Sequence, residues 1–239
     1  MRNASWFFRK GLVCTLTLSL LSFPAWCAPV KFEIRDLTHR NVLAFISDAL
    51  LEKIIAQFQL VKGYVLLDPE NLSSGIQGEM EVDLRTLLTG SQVRDVVIQE
   101  QVLDSRQYPS AFLKVNKWAQ IVSGKLIEGQ SNAHSVEANL SYRGKDIALT
   151  LPLKITYFKE GETTRRRLPG NLLKVSSEWD IELSQLGITL SDSLKPLIAK
   201  KVQVAFDGIG TDKLPNEKVT LPEGPKPKER ESSSSSPTQ

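Results

Sequence analysis

The chain has 239 residues, with 30 lysines and arginines against 27 aspartates and glutamates, a formal net charge of +3. Three of the basic residues and both cysteines fall within the first 27 residues, so the remainder carries 27 basic and 27 acidic residues and no thiol. Without those 27 residues, the charge balance excludes electrostatic attraction to nucleic acid or to an anionic membrane surface. The missing thiols exclude a disulfide framework, a thiolate zinc site and a cysteine nucleophile.

Residues 1–27 predict a secretory signal peptide. Three basic residues precede an uncharged apolar run at 11–23, which is shorter than the stretch of about 18 apolar residues expected of a membrane-spanning helix. Cleavage after Cys27 puts small residues at the positions that signal peptidases read, whereas cleavage after Ala28 would leave a proline first. Bulky Trp26 disfavours the alternative of a lipid-modified Cys27. We therefore expect the mature protein in the periplasm or outside the cell.

The C-terminal segment, residues 215–239, is rich in Pro, Glu, Lys and Ser and has almost no apolar side chain. Such a segment cannot bury enough surface to offset the entropy of ordering it, so it predicts a disordered tail. The tail could serve as a spacer or attachment arm, or it could be a solvated end without a role. The remaining residues, 28–214, suit one domain with a sizeable core.

The domain shows a repeated alternation of apolar and polar residues. This period of two is clearest at 147–157, where Pro152 indicates a sheet edge or a bulge. The predicted strands are residues 30–34, 41–45, 59–67, 78–84, 111–115, 121–128, 136–142, 147–157, 175–183 and 202–206. They are joined mostly by tight turns without regular helical crossovers, which is typical of an antiparallel meander.

Each predicted strand has one apolar face, so the sheet must pack against a second sheet or close on itself. The number and length of the strands favour closure into an extended eight-stranded antiparallel barrel. The predicted fold class is therefore mainly all-β, with one or two short helices. The interior of such a barrel is just wide enough to be filled by side chains or to hold one small apolar ligand.

Two segments interrupt the strands and predict helices. The first is 47–58, which Ser47 or Asp48 could cap. Its apolar residues fall on one helical stripe, formed by Leu50, Leu51, Ile54 and Ile55. The second helix follows Thr89 and Gln92, which have the spacing of a capping box. Its apolar stripe consists of Val93, Val96 and Val97, with Ile98 and Val102 in support.

The second helix lies between two predicted strands, and in a meander barrel such an insertion usually covers an open end. Arg94 and Asp95 fall in its first turn, where they could tie the helix to the barrel rim by charge-assisted hydrogen bonds. Tyr108 and Pro109 mark the bend at which the chain re-enters the sheet. The segment 93–109 is therefore interpreted as a helix and clasp that close one end of the barrel.

A search for catalytic chemistry finds no G-x-S-x-G, H-E-x-x-H, Walker A or G-x-G-x-x-G motif. The two histidines, His39 and His134, have no close carboxylates at ligand spacing, so no metal site is predicted. Asp95 and Asp104 could form an acid/base pair of the kind that hydrolyses glycosides. However, the neighbouring Arg94 favours the charged form of Asp95, which opposes a general-acid role. We therefore expect a protein that is not an enzyme.

The basic run Arg165–Arg167 falls in a predicted hairpin loop. It is either a solvated turn or a docking point for a lipid phosphate at the mouth of the barrel. Large aromatic residues lie in or beside the strands, where they either fill the core or line a cavity: Phe45, Phe112, Trp118, Trp179 and Phe206.

Several short motifs follow one another along the chain. The most specific is R-D at Arg94 and Asp95, followed by L-D-x-x-x-Y-P-x-x-F over residues 103–112. The other motifs are His39, N-x-L-x-F at 41–45, VKGYV at 61–65, GKLIEG at 124–129 and SEWDIELSQLGI at 177–188. In this arrangement, which spans about residues 30–207, the chain resembles the YceI-like family of exported lipid-binding proteins.

The resemblance implies a lipocalin-like barrel whose apolar interior binds a polyisoprenoid chain, such as a quinone tail or an isoprenoid lipid. The rim and lid of this cavity would include His39, Arg94, Asp95, Asp104 and Tyr108. The strand alternation adds cavity-facing candidates at Leu43, Phe45, Val61, Val65, Phe112, Leu140, Leu149, Leu151, Trp179 and Ile181. The lipid or quinone is then the ligand itself, with no cofactor, no metal and no nucleic acid. Membrane contact would be transient, and a homodimer is compatible with the sequence.

Three functions are compatible with these residues. The favoured one is a carrier or sequestering protein for an isoprenoid-type lipid. The second is a hydrolase that uses Asp95, Asp104 or His39. The third is a barrel without a ligand that acts as an interaction module through its C-terminal tail, and it predicts an interior blocked by large side chains.

Overall fold

Antiparallel strands dominate the structure, a computed structural model that describes residues 28–35 and 40–214. The strands are β1 (Val30–Arg35), β2 (Val42–Asp48), β3 (Lys53–Phe58), β4 (Val61–Leu67), β5 (Ile76–Asp83), β6 (Leu87–Leu88), β7 (Ser110–Gln120), β8 (Ser131–Tyr142), β9 (Lys145–Phe158), β10 (Leu172–Glu182) and β11 (Lys201–Thr211). The helices are α1 (Gln92–Val97), which continues as a π-helical turn (Ile98–Val102), and the short α2 (Glu162–Arg165), with 3-10 turns at Leu72–Ser74 and Leu84–Thr86. The predicted signal peptide (1–27), the predicted tail (215–239) and His39 lie outside the described residues.

The strands form one antiparallel sheet that closes into a barrel of eight strands. Three of the eight are interrupted: β1 and β2 together form the first, β3 and β4 the second, and β5 and β6 the third. β11 closes the ring, because it pairs with β10 along its length on one side and with β2 and β1 on the other. The predicted fold class, an eight-stranded barrel with one or two short helices, is therefore confirmed.

The connections between strands define the two ends of the barrel. At one end, called the lid end, lie the β2–β3 turn (49–52), the helical segment 92–102, the β8–β9 turn (143–144) and the segment 183–200. At the other, called the loop end, lie residues 68–75, 121–130 and 159–171. There the Leu72 N–H donates to the Gly124 carbonyl at 2.9 Å and the Leu126 N–H to the Pro69 carbonyl at 2.7 Å, so two loops support each other.

Large apolar side chains fill the half of the barrel near the loop end. Phe32, Leu67, Ile155 and Leu173 are all 0% exposed there. The rings of Phe32 and Tyr157 meet edge to face, with centroids 6.2 Å apart. Side chains packed in this way fill the interior of an eight-stranded barrel, so room for a ligand lies toward the lid end.

The predicted helix at 47–58 is wrong. Its first residues complete β2 and its last residues form β3, with a tight turn between them. Leu50 and Leu51, half of the expected stripe, are 89% and 70% exposed at the tip of this hairpin. Ile54 is buried and Ile55 is exposed, which is the alternation of a strand and not the stripe of a helix.

The second predicted helix is confirmed, since α1 and the π-helical turn together cover 92–102 between β6 and β7. Tyr108 and Pro109 directly precede the first residue of β7, as predicted. The predicted strand at 121–128 is wrong, because these residues form the loop between β7 and β8 and bond to the neighbouring loop. Among the described residues, no helix has both the length and the apolar character needed to cross a membrane.

Pro152 lies inside β9, close to the point where pairing with β10 stops. The β9–β10 ladder ends at the pair Lys154 and Ser176, whereas the β8–β9 ladder continues to the first residue of β9. The Pro152 carbonyl accepts a hydrogen bond from the Ser177 hydroxyl at 2.5 Å, so the polar side of this residue faces β10. Because proline has no N–H to donate in that direction, it forms a local sheet edge, as predicted.

Candidate functional site

An apolar cavity, called the lid cavity, lies at the lid end beneath the helical segment 92–102. Its volume is about 130 Å³. It is bordered by Leu43, Phe45, Phe58, Met80, Val82, Leu84, Ile98, Val102, Leu103, Ala111, Phe112, Leu113, Leu140, Tyr142, Trp179, Ile181, Leu183, Leu186, Ile198, Val202 and Val204. Apart from the Tyr142 hydroxyl and the Trp179 indole nitrogen, these side chains are hydrocarbon or thioether. Walls of this kind are typical of sites for apolar ligands.

A second apolar cavity, called the deep cavity, lies next to the first and has a volume of about 40 Å³. Met80 of β5, Leu113 of β7 and Trp179 of β10 border both cavities, so these three side chains separate them. Met80 is the most adaptable of the three, because methionine is unbranched and has three rotatable side-chain bonds. A rotation of Met80 is the simplest movement that would join the two cavities into one channel.

Among the described residues that border the two cavities, Trp179 carries the one buried polar side-chain atom without a hydrogen-bond partner. Its indole N–H is buried and has no hydrogen-bond partner in the part of the chain that the structure describes. An unpaired buried donor costs about 1–3 kcal/mol. Because Trp179 borders both cavities, an acceptor atom on a ligand in either of them comes near the indole ring. The site therefore offers one polar contact in otherwise apolar surroundings.

Asp95 fastens the start of the helical segment to the chain before it. Its carboxylate is on a residue only 8% exposed and accepts hydrogen bonds from the Thr89 N–H at 2.7 Å and the Thr89 hydroxyl at 2.5 Å. The predicted capping box between Thr89 and Gln92 is wrong, because Ser91 is the N-cap residue and the Thr89 hydroxyl serves Asp95 instead. Hydrogen bonds to a charged group contribute about 1.5–3 kcal/mol, so Asp95 holds this end of the helix firmly.

Arg94 ties the same helix to the β2–β3 turn. Its guanidinium group forms an ion pair with Glu52 and donates to the Thr89 hydroxyl at 2.9 Å and to the Thr89 carbonyl at 3.1 Å. The carboxylate partner of Arg94 is therefore Glu52, and not the adjacent Asp95 that the sequence suggested. Arg94 and Asp95 both make charge-assisted hydrogen bonds at the barrel rim, and a contact of either residue with a ligand stays a prediction.

Tyr142 fastens the far end of the helical segment. Its hydroxyl donates a hydrogen bond to the carbonyl of Leu103, the residue after the π-helical turn. Burial raises the pKa of Tyr142, so the hydroxyl stays protonated at neutral pH. The ring borders the lid cavity and packs edge to face on Tyr108, with centroids 6.2 Å apart. The Tyr142 side chain thus joins the wall of the lid cavity to the end of the helical segment 92–102.

Arg143 adds a cation to the same corner. Its guanidinium carbon lies 5.2 Å from the ring centroid of Tyr108 and 5.6 Å from that of Tyr142. One guanidinium nitrogen lies 4.0 Å from the Asp104 carboxylate and 3.4 Å from the Val102 carbonyl, to which it donates. The backbone of Arg143 has a positive φ of 52°, a conformation that costs a non-glycine residue on the order of 1–3 kcal/mol. Its side chain joins the β8–β9 turn to the end of the helical segment.

Asp95 and Asp104 are poorly placed for acid/base catalysis as a pair. They are nine positions apart on a largely helical stretch, so their Cα atoms are separated by roughly 13.5 Å along the helix axis at a rise of 1.5 Å per residue. The two carboxyl groups of a glycosidase lie about 5–9.5 Å apart. Each aspartate also has its own partner, Thr89 for Asp95 and Arg143 for Asp104. Their geometry gives no support to a hydrolase that uses both.

His134 is a buried residue of β8 near the loop end. It is 5% exposed, its Nδ1 accepts a hydrogen bond from the Val122 N–H at 3.1 Å, and its ring lies 5.1 Å from that of Trp118. Burial lowers the pKa of His134, which favours the neutral ring. Within residues 28–35 and 40–214, no group of three His, Cys, Asp or Glu side chains could hold a metal ion. His134 therefore has a structural role in this fold.

The basic run lies at the loop end, opposite the lid cavity. Arg165 pairs with Glu160 at 3.0 Å, and Arg166 pairs with Glu162 at 3.2 Å. Lys213 also pairs with Glu160, and these cations lower the pKa of Glu160 to about 2. This position does not fit a phosphate-docking point at the mouth of the lid cavity. Arg165 and Arg166 instead lie on an exposed turn with their own carboxylate partners.

The residues predicted to face a cavity fall into three groups: those at the lid cavity, those at the deep cavity and those packed in or against the core. Those that border the lid cavity are Leu43, Phe45, Phe112, Leu140, Trp179 and Ile181. Those that border the deep cavity are Val65, Leu151 and again Trp179. Val61 is buried in the core, and Leu149 is partly buried against it. Phe112 is 49% exposed although it borders the lid cavity, so it lies at the cavity edge. Contact of all these residues with a ligand stays a prediction.

Four residues at or near the lid cavity were not predicted as site residues from the sequence: Met80, Ala111, Tyr142 and Arg143. Tyr142 lies on the inner face of an alternating strand, so the period of two could have placed it at the cavity. The same alternation applies to Met80, which falls two residues before buried Val82. Arg143 gave no such signal, because its partners belong to the distant helical segment.

Several solved structures are similar to this barrel. BcnA from Burkholderia cenocepacia has 18% sequence identity and a TM-score of 0.56, and the match covers 74% of this chain and 99% of that one. A polyisoprenoid-binding domain from Saccharophagus degradans, implicated in plant cell wall breakdown, has 16% identity, a TM-score of 0.58 and coverage of 76% and 98%. The YceI protein of Campylobacter jejuni has 14% identity, a TM-score of 0.55 and coverage of 70% and 90%. A comparison with curated proteins gave no match.

At these identities, the solved structures show a shared fold. The family model of the YceI-like domain matches residues 34–208, which is more than half of the chain. This range contains the helical segment and nearly all of the barrel, and it agrees with the order of motifs in the sequence. The chain therefore belongs to the YceI-like family.

Proposed function

We propose that the barrel binds an apolar lipid of the isoprenoid class, such as a polyisoprenoid or a quinone tail, and acts as its carrier or sequestering protein. The observation that supports this most directly is the lid cavity, whose walls are almost wholly hydrocarbon. Each buried methylene contributes roughly 0.8 kcal/mol, so an apolar chain can bind there without a charged or catalytic group. Similarity to a polyisoprenoid-binding domain supports the same class of ligand.

The cargo needs more room than the empty barrel offers. The lid and deep cavities measure about 130 and 40 Å³, whereas ligand pockets typically measure about 300–1,000 Å³. An apolar cavity of about 150 Å³ accepts a molecule as small as benzene. A long chain therefore moves Met80 aside and passes Trp179 to reach the deep cavity.

The indole N–H of Trp179 can distinguish a quinone from a plain hydrocarbon chain. A quinone carbonyl at the boundary of the two cavities would accept this hydrogen bond and satisfy the buried donor. A polyprenyl chain has no acceptor there and leaves the donor unpaired. Binding of a quinone ring inside the barrel would therefore depend on Trp179 more strongly than binding of a prenyl chain.

The two other functions have weaker support. The hydrolase interpretation relied on Asp95, Asp104 or His39, but Thr89 and Arg143 are the partners of the two aspartates. The interaction-module interpretation predicted an interior blocked by large side chains, whereas the lid cavity alone has a volume of about 130 Å³. A carrier or sequestering protein agrees best with an apolar interior of this kind.

The working location in this proposal is the periplasm or the space outside the cell, as the predicted signal peptide suggests. A carrier there would shield an apolar chain from water. Mass spectrometry of the exported protein tests this location by its N-terminus, which should be Ala28 after cleavage at the predicted site. Protein that keeps residues 1–27 and stays in the cytoplasm would contradict it.

A titration with prenols of increasing length tests the proposed function. Delipidated protein is titrated with a series from farnesol to long polyprenols, and binding is followed by tryptophan fluorescence. Each added isoprene unit should raise the affinity at least about tenfold until the channel is full. Absence of binding at every length would contradict the proposal.

Two phenylalanine substitutions separate binding in the cavity from binding elsewhere. Ala111 borders the lid cavity, so Ala111→Phe should shorten the longest chain that binds or abolish binding. Ala148 lies on the exposed face of β9, so Ala148→Phe adds the same ring outside the barrel and should bind like wild type. Equal behaviour of the two variants would place the binding site outside the lid cavity.

A further inference from the structure

The lid end carries large apolar side chains on protruding tips. Leu50 and Leu51, at the tip of the β2–β3 turn, are 89% and 70% exposed. Val93 in the first turn of α1 is 78% exposed, and Leu197 in the segment 183–200 is 37% exposed. Single exposed apolar residues are ordinary on a protein surface, but these come from three separate segments and share one end of the barrel.

Backbone and ionic contacts show that the three segments are neighbours. The Leu51 N–H donates to the Pro196 carbonyl at 3.1 Å, which joins the β2–β3 turn to the segment 183–200. The ion pair between Arg94 and Glu52 joins α1 to the same turn. Four exposed apolar side chains on these segments are called the apolar rim: Leu50, Leu51, Val93 and Leu197.

The segments that carry the apolar rim also form the wall of the lid cavity. The turn that continues α1 contributes Ile98 and Val102 to this wall. The segment 183–200 contributes Leu186 and Ile198, and β2 contributes Phe45. These elements therefore face the cavity on one side and present the apolar rim to solvent on the other.

Charges around the apolar rim nearly balance. The basic residues on or beside the three segments are Lys53, Arg94, Lys195 and Lys200, and the acidic residues are Asp48, Glu52, Asp95, Glu100 and Asp192. Arg94 pairs with Glu52, and Lys195 pairs with Asp192 at 2.5 Å. With so little net charge, attraction of a partner to this end would come from the apolar side chains and not from electrostatics.

A folded protein partner, including a second copy of this chain, fits the apolar rim poorly. A stable protein–protein interface takes about 20–30 residues and about 800 Å² on each side. The apolar rim offers four side chains on separate tips. Leucine and valine on such tips can instead enter the fluid apolar boundary of a bilayer, which needs no shaped counterpart.

We propose that the apolar rim inserts into the surface of a lipid bilayer, with the lid end facing the membrane. A cargo that leaves or enters the barrel at this end then passes between the lid cavity and the bilayer with little exposure to water. Membrane insertion itself depends only on the apolar rim, whereas the transfer of cargo rests on the proposed function.

Vesicle flotation of the full chain tests the proposal, with vesicles of neutral phosphatidylcholine as the probe. The double substitution Leu50→Gln and Leu51→Gln should weaken vesicle binding at least about tenfold. Val93→Gln should also weaken it and provides a second, independent variant. Val122 is 65% exposed at the loop end, so Val122→Gln is the matched control and should bind like wild type. Added salt should leave binding nearly unchanged, because screening acts on charges.

Several results would overturn this proposal. They are a wild type that does not float with vesicles, rim and control variants with equal binding, and binding that needs anionic lipid and disappears in salt. Analytical ultracentrifugation that shows a dimer, dissociated by the rim substitutions, would assign the apolar rim to an interface between copies.

Prenol titration in solution separates the two proposals. The rim residues do not border the lid cavity, so the rim variants should bind prenols and unfold in urea like wild type. A wild type that binds no prenol but floats with vesicles would refute the proposed function and support membrane insertion. A wild type that binds prenols but does not float with vesicles would support the proposed function and refute membrane insertion.

Discussion

Tyr142→Phe is expected to weaken the attachment of the helical segment 92–102 to the barrel without changing the barrel itself. The substitution removes the hydroxyl that donates to the Leu103 carbonyl at the end of the helical segment 92–102. The phenylalanine ring can still border the lid cavity and pack on Tyr108. The change is therefore confined to one contact between the barrel wall and the lid.

The size of the effect follows from the carbonyl that loses its donor. Carbonyls at the end of a helix lack partners within the helix, and an unpaired buried acceptor costs about 1–3 kcal/mol. If the helical segment can open while the barrel stays folded, Tyr142→Phe raises the population of the open form about 5- to 150-fold. Release of a bound lipid should accelerate by the same factor wherever opening limits release.

Stopped-flow fluorescence measures this release after loaded protein is mixed with an excess of a competing prenol. Tyr108→Phe is the matched control, because the Tyr108 hydroxyl makes no hydrogen bond within the described ranges and its ring lies beside that of Tyr142. The control should release lipid at the wild-type rate. An unchanged rate in Tyr142→Phe, or equal acceleration in both variants, would refute the role assigned to the Tyr142 hydroxyl.

Three further substitutions test other parts of the structure. Trp179→Phe should weaken quinone binding about two- to tenfold and leave the binding of a polyisoprene hydrocarbon without a hydroxyl nearly unchanged, because of the two only the quinone offers an acceptor to the indole N–H; equal losses in calorimetry would contradict this. Pro152→Val supplies an N–H toward β10, so amide hydrogen exchange should slow along the lid-end half of β10; faster exchange there would count against it. His134→Asn keeps an acceptor for the Val122 N–H but cannot titrate. Burial lowers the pKa of His134 in the folded protein below 6.5, so the unfolded chain binds the proton more readily. The stability that the neutral, buried ring contributes is therefore complete above pH 6.5 and is lost as the pH falls through the folded pKa. Urea unfolding should show that loss in wild type alone, and parallel profiles for the two proteins would exclude it.

The barrel could be predicted because half-buried strands carry their period in the sequence. Residues 147–157 alternate and form most of β9. The predicted helix at 47–58 failed because its apolar residues fit both a helical stripe and a hairpin. Contacts far along the chain decide between the two: the Ser47 hydroxyl accepts a hydrogen bond from the Ala199 N–H, 152 positions away. A local pattern does not contain that information.

The candidate site was predictable only where it depends on strand alternation. Trp179 could be placed at the cavity because it alternates with exposed residues along β10. The contacts that hold the helical segment 92–102 on the barrel could not be found from strand alternation. Tyr142 and Leu103 are 39 positions apart, and Arg94 and Glu52 are 42 positions apart. Such pairs form only when the barrel has closed. Sequence motifs therefore indicated the helical segment 92–102, but not the hydrogen bonds and ion pairs that hold it on the barrel.

Native mass spectrometry of protein isolated without detergent from the cells that produce it tests the central claim most directly. We predict a stoichiometric extra mass that organic solvent extracts and that fragments as an isoprenoid-type lipid. A bare protein mass that stays bare after incubation with prenols and quinones would contradict a lipid-binding barrel.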